Sequence, residues 1–236
     1  MATRAEIREQ IRRIADIEND GNHITDAEIN DDINNSLSAL WAMLVDADDG
    51  SLFSKVAPTT VQIGDNAYRL PLDFLRLVSV DILYNSVYVH SVQADPQRYA
   101  QLLRLSTRGL NFAQHYLQWN KDQNWYELFL FPSPSSTDQI FVRYIPSAQQ
   151  LSVDDQELNL PADWHRWVVY DVGIKCYIKE ESDPTLVIME RETIKGRIIN
   201  DIKSQSVAQV KTIRDVAAWE DGGRFALPPI NYTGNT

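Results

Sequence analysis

"LPADWHRWVVYDVGIKCYIKEESDP", residues 160–184, gathers two tryptophans, a histidine, two tyrosines and the chain's single cysteine. It reads either as a reaction centre or as one helix crowded with core side chains. A helix rises about 1.5 Å per residue, so His165 and Cys176 stand roughly 16 Å apart along its axis. A base and a nucleophile must share a hydrogen bond, so these two cannot act together. Trp164, Trp167, Val168, Asp171, Ile174 and Ile178 fall on or beside one face. The stretch therefore reads as a helix that packs against others, with a satisfied histidine.

Working outward, Val187, Ile194, Ile198 and Ile202 keep helical spacing behind Asp183-Pro184 and predict a second helix downstream. At the other end of the chain, Ile7, Ile11 and Ile14 predict a helix over residues 3–20, closed by "DGN". "TDAE" at residues 25–28 is a capping-box pattern. It opens a helix whose stripe is Ile29, Ile33, Leu37, Leu40, Trp41 and Leu44.

Between these helix pairs the texture is that of strands. "TTVQIGDNAYRLP" suggests a hairpin, and "DFLRLVSVDILYNSVYVHSV" a turn followed by two strands around residues 84–86. "DPQRYAQLLRL" suggests a short helix with Asp95 as N-cap. "AQHYLQWNKDQNWYELFLFPSP" gives strand, polar turn at residues 120–124, strand, and "DQIFVRYIP" a further strand. The expected fold is α+β. It has an antiparallel bundle of two N-terminal and two C-terminal helices, an inserted small mostly-β domain, and an extended C-terminal tail. The expected boundaries are 1–55, 56–155, 156–208 and 209–236.

With 44% hydrophobic and 23% charged residues, the 236-residue chain can bury a proper core. No apolar run reaches the roughly 18–20 residues of a membrane span, and the charged N-terminus lacks a secretion signal's apolar core. One cysteine excludes an intrachain disulfide, which fits folding in a reducing cytoplasm. The net charge of −11 argues against gripping nucleic acid, an affinity that comes from Lys and Arg. Arg98, Arg104 and Arg108 therefore read as a solvated face or a contact for an acidic neighbour.

Other candidate chemistry is thin. "DADDG" at residues 46–50 fails the calcium-loop pattern, because a loop starting at Asp46 has Ser51 where Gly is needed and Ala57 where Glu is needed. His23, His90, His115 and His165 show no metal-ligand spacing. No phosphate loop, dinucleotide turn or nucleophile elbow occurs, so no cofactor or metal is expected. Asp154, Asp155 and Glu157 could pair as carboxylates of a cell-wall glycan hydrolase, but a polar loop lacks the burial that separates two pKa values. The tail carries Trp219, Arg224, Phe225, Leu227, Pro228 and Tyr232 among Gly and Pro. Large apolar groups on an adaptable backbone suit docking onto another chain.

The order of these features resembles that of the head-to-tail adaptors of short-tailed bacteriophages, the tail tubular protein A or gatekeeper-like connectors. The likeness is carried by "ITDAEINDDINNSLSALW", "YRLPLDFLRLVSV", "IFVRYIPSAQQL" and the stretch at 160–184, and spans roughly residues 5–205. The resemblance implies a structural virion protein, not an enzyme, in a homo-oligomeric ring that is typically a dodecamer. Such a ring joins the portal protein to the tail nozzle and surrounds the passing double-stranded DNA without binding it specifically. It sits in the virion neck after assembly in the host cytoplasm. A different neck or tail-completion protein is the alternative within the same class.

Overall fold

The computed structural model describes residues 2–17, 24–48, 52–60, 67–84, 87–95, 97, 113–131, 139–161 and 163–208. Among them are four helices and two four-stranded sheets, a mixed α+β architecture.

Helix α1, Arg4–Ile14, starts on a complete capping box. Thr3 Oγ1 accepts from Glu6 N at 3.2 Å, and a Glu6 carboxylate oxygen accepts from Thr3 N at 3.0 Å. Ile7 and Ile11 are fully buried. The helix is shorter than its sequence pattern predicts. Asp16 turns into the left-handed region at φ 56°, and Ile17 N donates to Arg12 O at 3.1 Å, which tucks Ile17 back into the core. The "DGN" stop lies outside the described residues.

Helix α2, Asp26–Ala47, is capped by Thr25, whose hydroxyl accepts from Glu28 N at 3.3 Å. Its predicted stripe is buried, with Trp41 half-buried at the edge. Helix α3, His165–Lys179, begins without a side-chain cap. Its start is held by packing instead: Trp164 meets Phe53 edge-on, and Phe53 meets Trp41 in the same way. Helix α4, Thr185–Ala208, follows a turn in which Asp183 Oδ1 accepts from Thr185 N at 3.0 Å. Val187, Ile194, Ile198 and Ile202 are all buried, as their spacing predicts.

All four helices feed one apolar core, and α3 packs against each of the other three. Gly173 lies where these helices meet: a Cβ there would be in ordinary contact with Ile14 Cγ2 at 3.4 Å and Val187 Cγ1 at 3.8 Å. Polar ties complete the arrangement. Asp171 accepts from Ser36 on α2 at 2.7 Å and from Arg191 on α4 at 2.9 Å. Lys175 donates to Asp32 and Ser36, Lys179 to Glu28, and Tyr177 to the carbonyl of Ile14.

The strands are β1 (Lys55–Thr60), β2 (Ala67–Arg69), β3 (Phe74–Tyr84), β4 (Val87–His90), β5 (Val92–Gln93), β6 (Gln114–Asn120), β7 (Trp125–Phe131) and β8 (Gln139–Pro146). One sheet runs β1-β8-β3-β4, the other β2-β7-β6-β5. All pairings are antiparallel except β5 with β6. Residues 61–66 of the expected hairpin lie outside the described residues. β1 pairs with β8 and β2 with β7, so the two enter different sheets. The predicted pairs β3–β4 and β6–β7 do form. In the latter turn, Asn120 Oδ1 accepts from Asp122 N and Gln123 N, and Asn124 adopts φ 58°. The expected short helix over 95–105 lies almost wholly outside the described residues, though Asp95 accepts from Gln97 N as an N-cap would.

Both sheets contribute to a second apolar core, including Tyr68, Phe74, Val80, Ile82, Leu128, Leu130, Ile140, Val142 and Tyr144. After β8 the chain crosses to the helices. Trp41 Nε1 donates to Pro146 O at 2.8 Å, and Asn34 grips Leu151 through both backbone groups. Leu151 and Leu158 are buried in the helical core.

Candidate interaction surfaces

The crowded stretch at 160–184 resolves as core. Trp164, Trp167, Val168, Val169, Val172 and Cys176 belong to the helical core, with Tyr170 and Tyr177 packed at its margin. Ile178 departs from the expected face: it is exposed, because Cys176 and Tyr177 take the inward side of that last turn. His165 is the half-buried first residue of α3, and Cys176 sits about three turns further on among apolar neighbours. Burial, with Asp32 and Glu180 close by, pushes the Cys176 thiol up to about 11. A thiol so held is no nucleophile near neutral pH.

The acidic loop resolves equally plainly. Asp154 Oδ1 accepts from Arg4 at 2.6 Å, and Oδ2 from Arg8 at 3.0 Å. Hydrogen bonds from Arg8 and Arg4 lower its pKa to about 2. Near neutral pH it is an anion in a clamp, a poor proton donor to a glycosidic oxygen. Asp155 and Glu157, which follow it, are exposed. At the end of α2, Asp48 Oδ2 accepts from Leu52 N at 2.6 Å, so the calcium-like loop uses that carboxylate to close a turn. Among the described residues no cluster of His, Cys, Asp or Glu is arranged to hold a metal ion.

Where helices meet sheets, a cavity of about 340 Å³ is lined by Leu37, Trp41, Pro146, Leu158, Leu160 and the Lys55–Asp73 pair, among others. Its polar groups satisfy one another. Lys55 lies 3.3 Å from Asp73, and Tyr144 donates its hydroxyl to Asp73 at 2.9 Å. Burial and that hydrogen bond raise Tyr144 to about 12. The cavity offers apolar contact and no reactive group.

Surface character differs between the two parts. The β region exposes Leu72, Leu75, Val78, Val87, Tyr88, Val92 and Trp119. The helices expose Ile178, Leu186 and Met189, where α3 ends and α4 begins. Large exposed apolar groups gathered on one region mark contact surfaces. The tail residues Trp219, Arg224, Phe225, Leu227, Pro228 and Tyr232 lie outside the described residues, as do Arg98, Arg104 and Arg108.

Comparison with known families supplies the deciding observation. The family model for the SU10 adaptor protein matches residues 2–216, spanning both cores. The chain belongs to the SU10 adaptor protein family. This adaptor is a structural bacteriophage protein of the virion neck, and its role is to contact other head and tail components. No curated protein matches the chain. No helix among the described residues of the adaptor is long and apolar enough to cross a membrane.

Proposed function

We propose that the adaptor forms a ring of twelve copies that joins the portal protein to the tail nozzle, lines the DNA channel, retains the packaged genome and then lets it pass. The two separate apolar cores carry this reading. Each closes on its own set of elements, so a single chain presents a helical surface and a sheet surface that can engage different neighbours. The Trp41–Pro146 bond and the Arg4–Asp154–Arg8 clamp hold the connection between them.

In this reading residues 1–55 and 156–208 form an antiparallel helix bundle that makes the ring wall. Residues 56–155 are the inserted β domain facing the tail, and 209–236 dock onto the portal or the adjacent subunit through Trp219, Arg224, Phe225, Leu227, Pro228 and Tyr232. A net charge of −11 suits a channel through which DNA slides, because phosphates are repelled and not held. No catalytic set is required, and virion assembly takes place in the host cytoplasm.

The test is the mass of the complex formed when purified adaptor is mixed with purified portal. A ring-sized multiple of the chain bound to portal supports the proposal. An adaptor that stays unbound to portal and is missing from mature particles opposes it.

A further inference from the structure

The strand that leaves β4 changes sheets. Tyr88 and Val89 pair with β3 in the first sheet. Ser91 N then donates to Val80 O at 2.9 Å, and three residues later Ala94 N donates to His115 O at 2.7 Å in the second sheet. At the start of β3 the two sheets still touch, with the Phe74 and Tyr126 ring centroids 5.2 Å apart. There, among the described residues, 74–80 pair as strand only with β8, while β4 takes up residues 81–84.

Beside this strand lies a crevice of about 510 Å³, lined by residues 74–79 of β3, by residues 90–93, and by His115, Leu117 and Tyr126 of the second sheet. Two register irregularities fall between Phe74 and Arg76 and between Leu77 and Ser79, which puts Leu75 and Val78 out of step with β8. Both are large apolar residues, 48% and 41% exposed.

Arg76 stands between them, exposed and without an acidic partner among the described residues. Deeper in the crevice wall His115 is buried, held through Nδ1 to Ser91 Oγ at 3.0 Å. His90 is paired with Asp81 at 2.9 Å. The crevice thus combines a strand edge with no second neighbour among the described residues, an apolar ledge and one uncompensated cation. That set suits an extended peptide with an aromatic residue followed by a carboxylate.

The chain itself contains such a peptide. "AAWEDGGRFALPPI" in the C-terminal segment places Trp219 directly before Glu220 and Asp221. α4 ends at Ala208, and the eleven residues from there to Trp219 can extend on the order of 36 Å. We propose that this crevice receives the chain's own C-terminal segment as an added extended strand, with Trp219 on Leu75 and Val78 and the Glu220 or Asp221 carboxylate at Arg76. The inference rests on the docking reading of the tail in its subunit form, with the segment seated on the same or an adjacent copy of this chain, and it competes with portal docking through Trp219.

The experiment uses the full chain carrying Arg76→Lys, treated with a carbodiimide that joins amines to adjacent carboxylates, followed by peptide mapping. The amine introduced at position 76 is expected to be joined to Glu220 or Asp221. The Lys55–Asp73 pair, 3.3 Å apart, serves as the internal positive control. Adding Glu220→Gln with Asp221→Asn removes the product. Adding Val78→Ser, at an exposed position, removes the apolar contact without adding a competing carboxylate and lowers the yield at least fivefold. Formation of the Lys55–Asp73 link without any link from position 76 to residues 220 or 221 overturns the proposal, as does a yield indifferent to Val78→Ser. Because no portal is present, failure here is distinct from failure of portal binding.

Discussion

Asp154 is gripped by Arg4, whose Nη2 lies 2.6 Å from Oδ1, although the two residues are 150 positions apart. Arg8 completes the clamp at 3.0 Å on Oδ2. A loop that follows the last strand is thereby fastened to the first helix, and the first helix is drawn into the core built by the last two.

The clamp makes a pH prediction. The folded carboxylate titrates near 2, below its ordinary value of 3.8. A depressed folded value means that the contribution is complete above the unfolded value and is lost as pH falls from about 4 toward 2. Asp154→Asn should lower the melting temperature at pH 7, and the gap to the native chain should close as the pH falls to 2. Thermal unfolding across that range checks it. A gap independent of pH would mean the carboxylate acts only as a spacer.

Cys176 should be silent to thiol reagents in the folded chain at pH 8, since burial holds its thiol near 11. Labelling should appear only with the unfolding transition, with a midpoint matching that seen by circular dichroism. Fast labelling without denaturant would show α3 to be open around Cys176.

Trp167 separates packing from chemistry. Its ring is buried, and its Nε1–H has no hydrogen-bond partner among the described residues. Trp167→Phe removes that costly donor along with part of the ring, so its net cost should stay below about 2 kcal/mol. Trp167→Ala should cost about 3–5 kcal/mol. Equilibrium denaturation measures both. Equal losses would show that the indole N–H carries a role of its own.

Thr3→Ala should cost about 1 kcal/mol, the usual value of an N-cap. Glu6→Gln should cost less, since the amide oxygen can still accept from Thr3 N. Trp41→Phe removes the 2.8 Å bond to Pro146 O and should cost about 1–2 kcal/mol. It should also loosen the junction, seen as faster hydrogen exchange around residues 146–149.

Helices were legible wherever one face did the burying. The stripes on α2 and α4 stand in the sequence at helical spacing and are buried as predicted. The β6–β7 pair was legible because Asn120 and Asn124 carry the turn locally. β1 and β2 were not, because alternation shows that a strand exists but not its partner. Their partners, β8 and β7, come from much later in the chain. The capping box at Thr3 and Glu6 follows the same pattern recognised at Thr25 and Glu28, and so was available in "TRAE". The crevice beside β3 was beyond reach, since it gathers residues of both sheets around the point where the chain switches between them at Ser91.

This adaptor is a building part of the phage neck, and the residues of α3 serve as packing. An electron cryomicroscopy reconstruction of the mature particle should show a closed ring of copies of this chain around the DNA immediately below the portal, with Trp164, Trp167 and Cys176 inside each subunit's core. Density for the chain at another position in the particle, or His165 lining a substrate-sized open cleft with a carboxylate, would contradict it.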